Sequence, residues 1–414
     1  MSSRLIHVLG GILPIVLGLF TTPLTARSLG PENRGILVAV LAFGVIISAI
    51  SNFGLPWASR AVFERDVQAP SFLKRQAIFL GFKLLPLTLL ATVIILSADF
   101  EVGLEFGFSI AYVGIMTFSA YSGVCSNHLL VYRRTASLGI VTLTSSFIGF
   151  TFIIVFFLNN ELSLVSLLAI NCGMQVANTT FLALLSRRLQ LKQQAGFDLK
   201  SPPTVTRITP SERRFAWFSS TLDILFSRFD TIFLSAFASN YFLGLYSIPG
   251  ILVGVCYSLF STISSAGFNS SKIGNASTKL KISIQLNLML ALIVFALAGI
   301  FLSIALEPIF GSAYSESINL LPACLGFCLF LSIAVPYIQY SLIRRSSLMP
   351  AVGVTLLSSA AGVLALYMTG SIFIAANLLG CLLTLSLMIL VAKYLPRPYS
   401  FGNRKQFIEF LKAG

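Results

Sequence analysis

Charged side chains inside apolar stretches are the residues with chemistry to offer. Asp223, Arg228 and Asp230 all fall in the otherwise apolar run 215–237, where each charge near the middle of an inserting helix costs roughly 2.5 to 3.5 kcal/mol. That cost is met where charges pair with one another or line a water-filled cleft. At about 100° per residue, a straight helix puts Asp230 about 20° from Asp223 and turns Arg228 about 140° away. The two carboxylates then share a face, and Arg228 needs its own partner. In one reading Arg228 offers a cation to an anionic substrate, while Asp223 or Asp230 binds the H⁺ or Na⁺ that couples transport. In the other, the three form an internal charge network that holds helices together.

Two further sets stand out. Arg27 and Arg34 flank Gly30-Pro31, and they either build a cationic vestibule or pair with Glu32 and Glu105. Asn171, Gln175 and Asn178 recur at i, i+4 and i+7, one polar stripe on an apolar helix. Such a stripe suits sugar hydroxyls, and it equally suits hydrogen bonding between helices. Lys83 sits near the end of an apolar block, where a lysine snorkels. The six cysteines, Cys125, Cys172, Cys256, Cys324, Cys328 and Cys381, lie in or beside apolar blocks and read as small buried side chains rather than a disulfide framework. Cys324 and Cys328 are one helical turn apart, with no His or carboxylate nearby in sequence to complete a metal site. No cofactor is expected beyond a coupling H⁺ or Na⁺.

The elements that position these residues are membrane helices. Of the 414 residues 56% are hydrophobic and only 10% charged, and the mean hydropathy is +0.89. Soluble domains are about one quarter charged. The apolar residues come in blocks of about 20, the length that spans a bilayer. The chain is expected to be an all-α integral membrane protein with twelve transmembrane helices. The first six are predicted near 5–26, 36–56, 77–97, 106–128, 138–158 and 162–186. The second six are predicted near 215–237, 242–266, 282–306, 319–342, 350–369 and 372–392. The block 5–26 exceeds a signal-peptide core in length and is interrupted by Pro14 and Pro23, so it is kept as a span.

Connecting charges give the orientation. Of the 28 Lys and Arg, all but Arg27, Arg34, Lys83 and Arg228 fall on alternate loops or the termini. Because cations are retained in the cytoplasm during insertion, both termini are expected there. The net charge of +14 therefore marks topology, not nucleic-acid binding.

The second half repeats the layout of the first. Arg133-Arg134 and Arg344-Arg345 are 211 residues apart, and Gly35 and Gly244, each opening a span, are 209 apart. The expected domains are an N-terminal six-helix bundle (1–186), a cytoplasmic linker (187–214), a C-terminal six-helix bundle (215–392) and a cytoplasmic tail (393–414). Six is an even number, so both bundles insert the same way up, related by an axis along the membrane normal, with a cleft between them. The linker holds Pro202, Pro203 and Pro210 and reads as a tether. The tail ends in a candidate amphipathic anchor around Phe407–Leu411.

No loop is large enough for a catalytic domain. The sequence carries no Walker A, His-Glu-x-x-His or Gly-x-Ser-x-Gly pattern, and its two histidines, His7 and His128, are expected at the cytoplasmic ends of spans. A transporter rather than an enzyme is expected.

Three groups of residues are familiar. Thr25-Ala26-Arg27-Ser28-Leu29-Gly30-Pro31-Glu32-Asn33-Arg34-Gly35 resembles the first outer loop of bacterial polysaccharide flippases. These are the O-antigen branch of the multidrug/oligosaccharidyl-lipid/polysaccharide exporter superfamily. Arg228-Phe229-Asp230 followed by Leu243-Gly244-Leu245-Tyr246-Ser247, and Ile309-Phe310-Gly311-Ser312-Ala313-Tyr314, are similar in the same way. The resemblance implies a V-shaped exporter in the bacterial inner membrane. It would move an undecaprenyl-diphosphate-linked oligosaccharide, such as a lipopolysaccharide O-antigen unit, to the outer leaflet by alternating access. It also implies Arg228, Arg27 and Arg34 on the diphosphate or acidic sugars. Its implied partners, besides the lipid bilayer, are a glycosyltransferase, a polymerase or a chain-length regulator.

Three rivals compete with this reading. A cation-coupled multidrug exporter of the same superfamily commonly carries a carboxylate in its first bundle, and the first six spans here have no clear mid-membrane one. A peptidoglycan-precursor flippase usually has fourteen spans. A membrane-embedded polysaccharide polymerase, an enzyme, should have a large outer loop with arginines.

Overall fold

The computed structural model describes residues 3–56, 59, 63, 69–96, 104–132, 134–195, 210–269, 276–344, 379 and 382. Every regular element among them is helical. The order is α1 (Ser3–Ser51), α2 (Ala69–Leu96), α3 (Leu104–Met116), α4 (Ser119–Val131), α5 (Thr135–Leu158), α6 (Leu164–Ala195), α7 (Pro210–Ser227), α8 (Phe229–Phe237), α9 (Asn240–Asn269), α10 (Ala276–Phe310), a 3₁₀ segment (Ser312–Leu320) and α11 (Leu321–Arg344). Among the described residues seven helices are long and apolar enough to cross a membrane, or eight if α3 and α4, bent by 43°, form one span. The expected spans 350–369 and 372–392, apart from Leu379 and Leu382, lie outside the described residues. So do the tail 393–414 and linker residues 196–209.

Burial runs opposite to that of a water-soluble protein. The span Lys279–Phe310 is the most apolar of the set, yet only 17% of its most apolar window is buried, against 61% for Ser312–Ile338. Leu297, Ile300 and Ile304 stand exposed along it. An apolar surface of this extent needs an apolar solvent, which the acyl chains of a bilayer supply.

Two expected spans take a different form. The runs predicted at 5–26 and 36–56 are two helices that follow one another without a loop in α1 and meet at a kink at Gly30, which adopts φ 69° and ψ 173°. Only glycine takes that backbone without strain. Pro31 follows it, suiting the first position of a new helical segment, where a missing N–H costs nothing. The run predicted at 215–237 breaks at Arg228, which has φ −127° and ψ 13° and separates α7 from α8. No Pro or Gly marks that break, so the sequence pattern ran through it.

The chain divides into two compact units, one of Met1–Leu29 with Leu37–Ile224 and one of Gly30–Ile36 with Leu225–Gly414. In the first unit α6 packs against α3, α4 and α5, and α2 against α3 and α4. Its core joins Leu55, Phe63, Leu73, Ala77, Ala120 and Val124, with a second cluster around Cys125, Leu129 and Leu182. The α3–α4 bend is held by Thr117, whose hydroxyl donates to the Val113 carbonyl and meets the Thr88 hydroxyl at 3.1 Å. His128, near the end of α4, is fully buried. Its Nδ1 lies 2.7 Å from the Ser186 hydroxyl, and its ring stands against Phe63 and Tyr132.

In the second unit α9, α10 and α11 pack on one another, the 3₁₀ segment touches all three, and α8 packs on α9. Phe226 meets Phe330 edge to face at 5.5 Å. The segment after Gly30 crosses the start of α9 at very short range. A Cβ at Gly35 would run into the Asn240 carbonyl, and one at Gly244 into the Pro31 carbonyl. Only glycine permits two backbones to approach so closely. The crossing is reciprocal in numbering: Pro31 and Gly35 on one side face Gly244 and Asn240 on the other, each 209 residues from its counterpart.

Candidate functional site

The residue groups that carried the resemblance meet in the second unit. Asp230 sits in the first turn of α8, buried, and the Tyr246 hydroxyl of α9 donates to its Oδ2 at 2.5 Å. The Thr231 hydroxyl lies 3.3 Å from its Oδ1. A carboxylate in the first helical turn is also favoured by the helix dipole. Tyr246 in turn contacts the Cys324 thiol of α11. One residue further along α9, the Ser247 hydroxyl accepts from Arg34 Nε at 2.5 Å, and Arg34 is buried. Tyr314, after the positive-φ Gly311, is buried and close enough to Arg34 to interact electrostatically. Arg34, Asp230, Thr231, Tyr246, Ser247 and Tyr314 thus lie in one polar cluster beside the Gly35–Gly244 crossing.

Arg228 has a different setting. It is exposed, at the break between α7 and α8. Its N–H donates to the Leu225 carbonyl, and its carbonyl accepts from Ile232. Because the helix breaks there, the straight-helix argument that put Asp223 and Asp230 on one face does not carry across. Asp223 is half-buried near the end of α7. That helix is anchored within the first unit, where Trp217 Nε1 donates to the Ile50 carbonyl at 3.0 Å and the Trp217 ring stacks on Phe53.

Arg27 belongs to the first unit and is exposed. Of the polar stripe on α6, Asn171 turns its amide back to the Leu167 carbonyl of its own helix at 2.8 Å, neither bridging helices nor facing open space with that group. Gln175 lines a cavity of about 260 Å³ with Ser48, Asn52, Ser119, Ser122 and Thr179. Asn178 is half-buried. Lys83 is exposed, its Nζ 4.5 Å from the centre of the Phe79 ring. Among the described residues no group of three or more His, Cys, Asp or Glu could hold a metal ion.

Sequence reasoning missed Tyr246 and Ser247 as site residues. The available signal was their place in the Leu-Gly-Leu-Tyr-Ser run, whose glycine marks a close helix crossing. It also missed Lys74, Tyr121, Thr180 and Arg187, which line one cavity. In the sequence the charges of Lys74 and Arg187 read only as topology markers.

No family model and no curated protein matches the chain. Solved structures do. Lipid II flippase MurJ in an inward closed conformation aligns with 14% identity and a TM-score of 0.62, over 99% of this chain and 90% of that one. A MOP superfamily transporter from Pyrococcus furiosus aligns with 13% identity and a TM-score of 0.57, over 95% and 96%. An inward-facing multidrug resistance MATE family transporter of the MOP superfamily aligns with 12% identity and a TM-score of 0.53, over 100% and 96%. The chain shares the fold of these structures. At these identities the likeness speaks for the fold alone, which is that of a multi-pass membrane protein.

Proposed function

We propose that the chain is a flippase, not an enzyme, which carries an undecaprenyl-diphosphate-linked oligosaccharide of a surface polysaccharide from the inner to the outer leaflet of the bacterial cytoplasmic membrane by alternating access. The observation that carries this reading is Arg228, a cation left uncovered at a helix break within an apolar segment. A guanidinium in that position suits a diphosphate, which needs charge-assisted hydrogen bonds to leave water, while the prenyl chain stays in lipid. Arg27, also exposed, assists. Arg34 is the inner support that ties the Gly30–Gly35 segment to Ser247. Asp230 with Tyr246, or Asp223, takes the coupling H⁺ or Na⁺.

The reciprocal 209-residue crossing supports two six-helix repeats, with domains at 1–186 and 215–392, a cytoplasmic linker at 187–214 and a cytoplasmic tail at 393–414. The fold likeness to a lipid II flippase supports a lipid-linked cargo. The buried carboxylate Asp230 and the likeness to multidrug transporters favour a second reading, a cation-coupled drug exporter.

Leaflet-resolved analysis of polyprenyl-diphosphate oligosaccharides in cells lacking the chain separates the two. Flipping predicts inward accumulation that the wild-type chain relieves and Arg228→Ala, at equal expression, does not. Normal outward delivery with increased sensitivity to cationic drugs would select the exporter. Restoration by Arg228→Ala as complete as by the wild type would remove Arg228 from the substrate site.

A further inference from the structure

The first unit contains a cavity of about 470 Å³ that the transport reading has not used. Lys74 of α2 and Arg187 of α6 both line it, with Tyr121 of α4 and Thr179, Thr180 and Gln190 of α6. No carboxylate is among the described lining residues. Lys74 is half-buried and Arg187 exposed, and two cations at one cavity favour an anion between them. Lys74 Nζ is 3.5 Å from Gln190 Oε1, a neutral acceptor that orients the ammonium and leaves its charge uncompensated. A guanidinium and an ammonium flanked by hydroxyl and amide groups form a donor set matched to phosphate oxygens.

The cavity does not end at the cations. Thr179 lines both it and the 260 Å³ cavity bounded by Ser48, Asn52, Ser119, Ser122 and Gln175. Besides Pro56, Ile115, Met116 and Gly123, that second cup is lined by uncharged hydroxyl and amide groups. Some of them bond one another: Ser119 Oγ stands 3.3 Å from both the Ser48 carbonyl and Asn52 Oδ1. Gln175, Thr179, Ala183 and Arg187 follow at i+4 steps, so a single ridge of α6 serves both cavities and runs about 18 Å from amide to guanidinium. The two cavities are neighbours on that ridge, the first fitted to an anion and the second offering hydroxyl and amide groups to an uncharged polar one. A bare anion would use only the first.

We propose that the first unit holds a binding site for a phosphorylated carbohydrate, with the phosphate at Lys74 and Arg187 and the sugar reaching past Thr179 to Gln175 and Ser122. The site's chemistry stands on its own residues. That its natural occupant is the transported head group rests on the flippase reading. The phosphate could also come from an anionic phospholipid, and the sugar cup is what separates the two.

The test uses the full chain in nanodiscs of zwitterionic lipid, with binding of a trisaccharide 1-phosphate, long enough to span the ridge, and of inorganic phosphate measured by calorimetry. The sugar phosphate is expected to bind more tightly than phosphate. Lys74→Gln and Arg187→Gln should each weaken it about tenfold, a typical loss for a charge-assisted contact. Gln175→Ala should weaken the sugar phosphate without changing phosphate. Arg134→Gln with Arg188→Gln, which empties a neighbouring cavity of its cations, should change neither and controls for folding and net charge. Equal affinity for phosphate and sugar phosphate would overturn the proposal. So would a response to an anionic phospholipid alone, or insensitivity to Lys74→Gln and Arg187→Gln. Sugar-phosphate binding as expected, in a chain that fails to relieve inward accumulation of lipid-linked sugar, would keep the site and reject the flippase.

Discussion

Replacing Gly244 by alanine tests the crossing on which the second unit's polar cluster is built. The added Cβ would meet the carbonyl oxygen of Pro31, with the Pro31 Cα at 2.9 Å. These are backbone atoms, and unlike the end of a flexible side chain they cannot rotate away. Relief requires the segment 31–35 and the start of α9 to separate, which loosens the Arg34–Ser247 bond beside them. Overpacking a close contact costs typically 1–3 kcal/mol. With backbone on both sides the expected loss lies at the upper end, about 3 kcal/mol. Gly35→Ala should cost nearly as much, since its Cβ meets the Asn240 carbonyl, whose carbon would lie 2.6 Å away. The double variant should cost clearly less than the sum, because the first substitution already opens the gap that the second needs. Gly173→Ala is the control: it lies in α6 with nothing within 4 Å of the added atom, so alanine's better helix propensity should leave it neutral or slightly stabilising. Thermal unfolding of the purified variants in one detergent, followed by loss of the monodisperse species, gives the ranking. Full additivity of Gly35→Ala and Gly244→Ala, or a Gly244→Ala no worse than Gly173→Ala, would refute the crossing.

Tyr246→Phe removes the hydroxyl that donates to buried Asp230 at 2.5 Å and should cost about 2 kcal/mol, the range for a hydrogen bond to a charged group. The same unfolding measurement reads it, and Asp230→Asn combined with Tyr246→Phe should fall short of the sum. Ser247→Ala takes the acceptor from buried Arg34 Nε and should cost about 1 to 2 kcal/mol. A double-mutant cycle with Arg34→Met should show a coupling of at least about 0.5 kcal/mol, and a coupling of zero would mean the bond does not form in the membrane.

How much was legible in the sequence depended on which physical signal marked each feature. Membrane helices announce themselves by length and apolarity, and α2, α5, α6, α9 and α10 fall where the apolar blocks put them. Gly30-Pro31 announced a break, because that pair has one good use between two helical segments. The break at Arg228 was invisible, since no Pro or Gly stands there and tertiary packing overrides the local pattern. Gly35 and Gly244 were visible as repeat markers. That they face each other could not be read from spacing, since equal spacing follows from duplication with or without contact. The polar stripe was legible as a stripe, but its members separate: Asn171 satisfies itself on its own helix while Gln175 reaches a cavity. The cations of the first-unit cavity were hidden by the rule that located them. A Lys or Arg at a span end satisfies the topology signal whether or not it also lines a site.

The charges of the seventh span show how the structure narrows the functional question. Sequence alone assigns Asp223, Arg228 and Asp230 similar insertion costs and treats them alike. The fold separates them. Asp230 is covered and meets a tyrosine hydroxyl, a threonine hydroxyl and the start of a helix, so most of its cost is offset locally. Asp223 is half-covered on a helix held in place by Trp217. Arg228 is exposed, on a residue whose backbone has already left the helix. A cation in a membrane-spanning segment needs water, an anion or both around it. Because protein covers it least of the three, Arg228 is the charge whose replacement should cost the fold least, and neither α7 nor α8 beside it is among the helices long and apolar enough to cross a membrane.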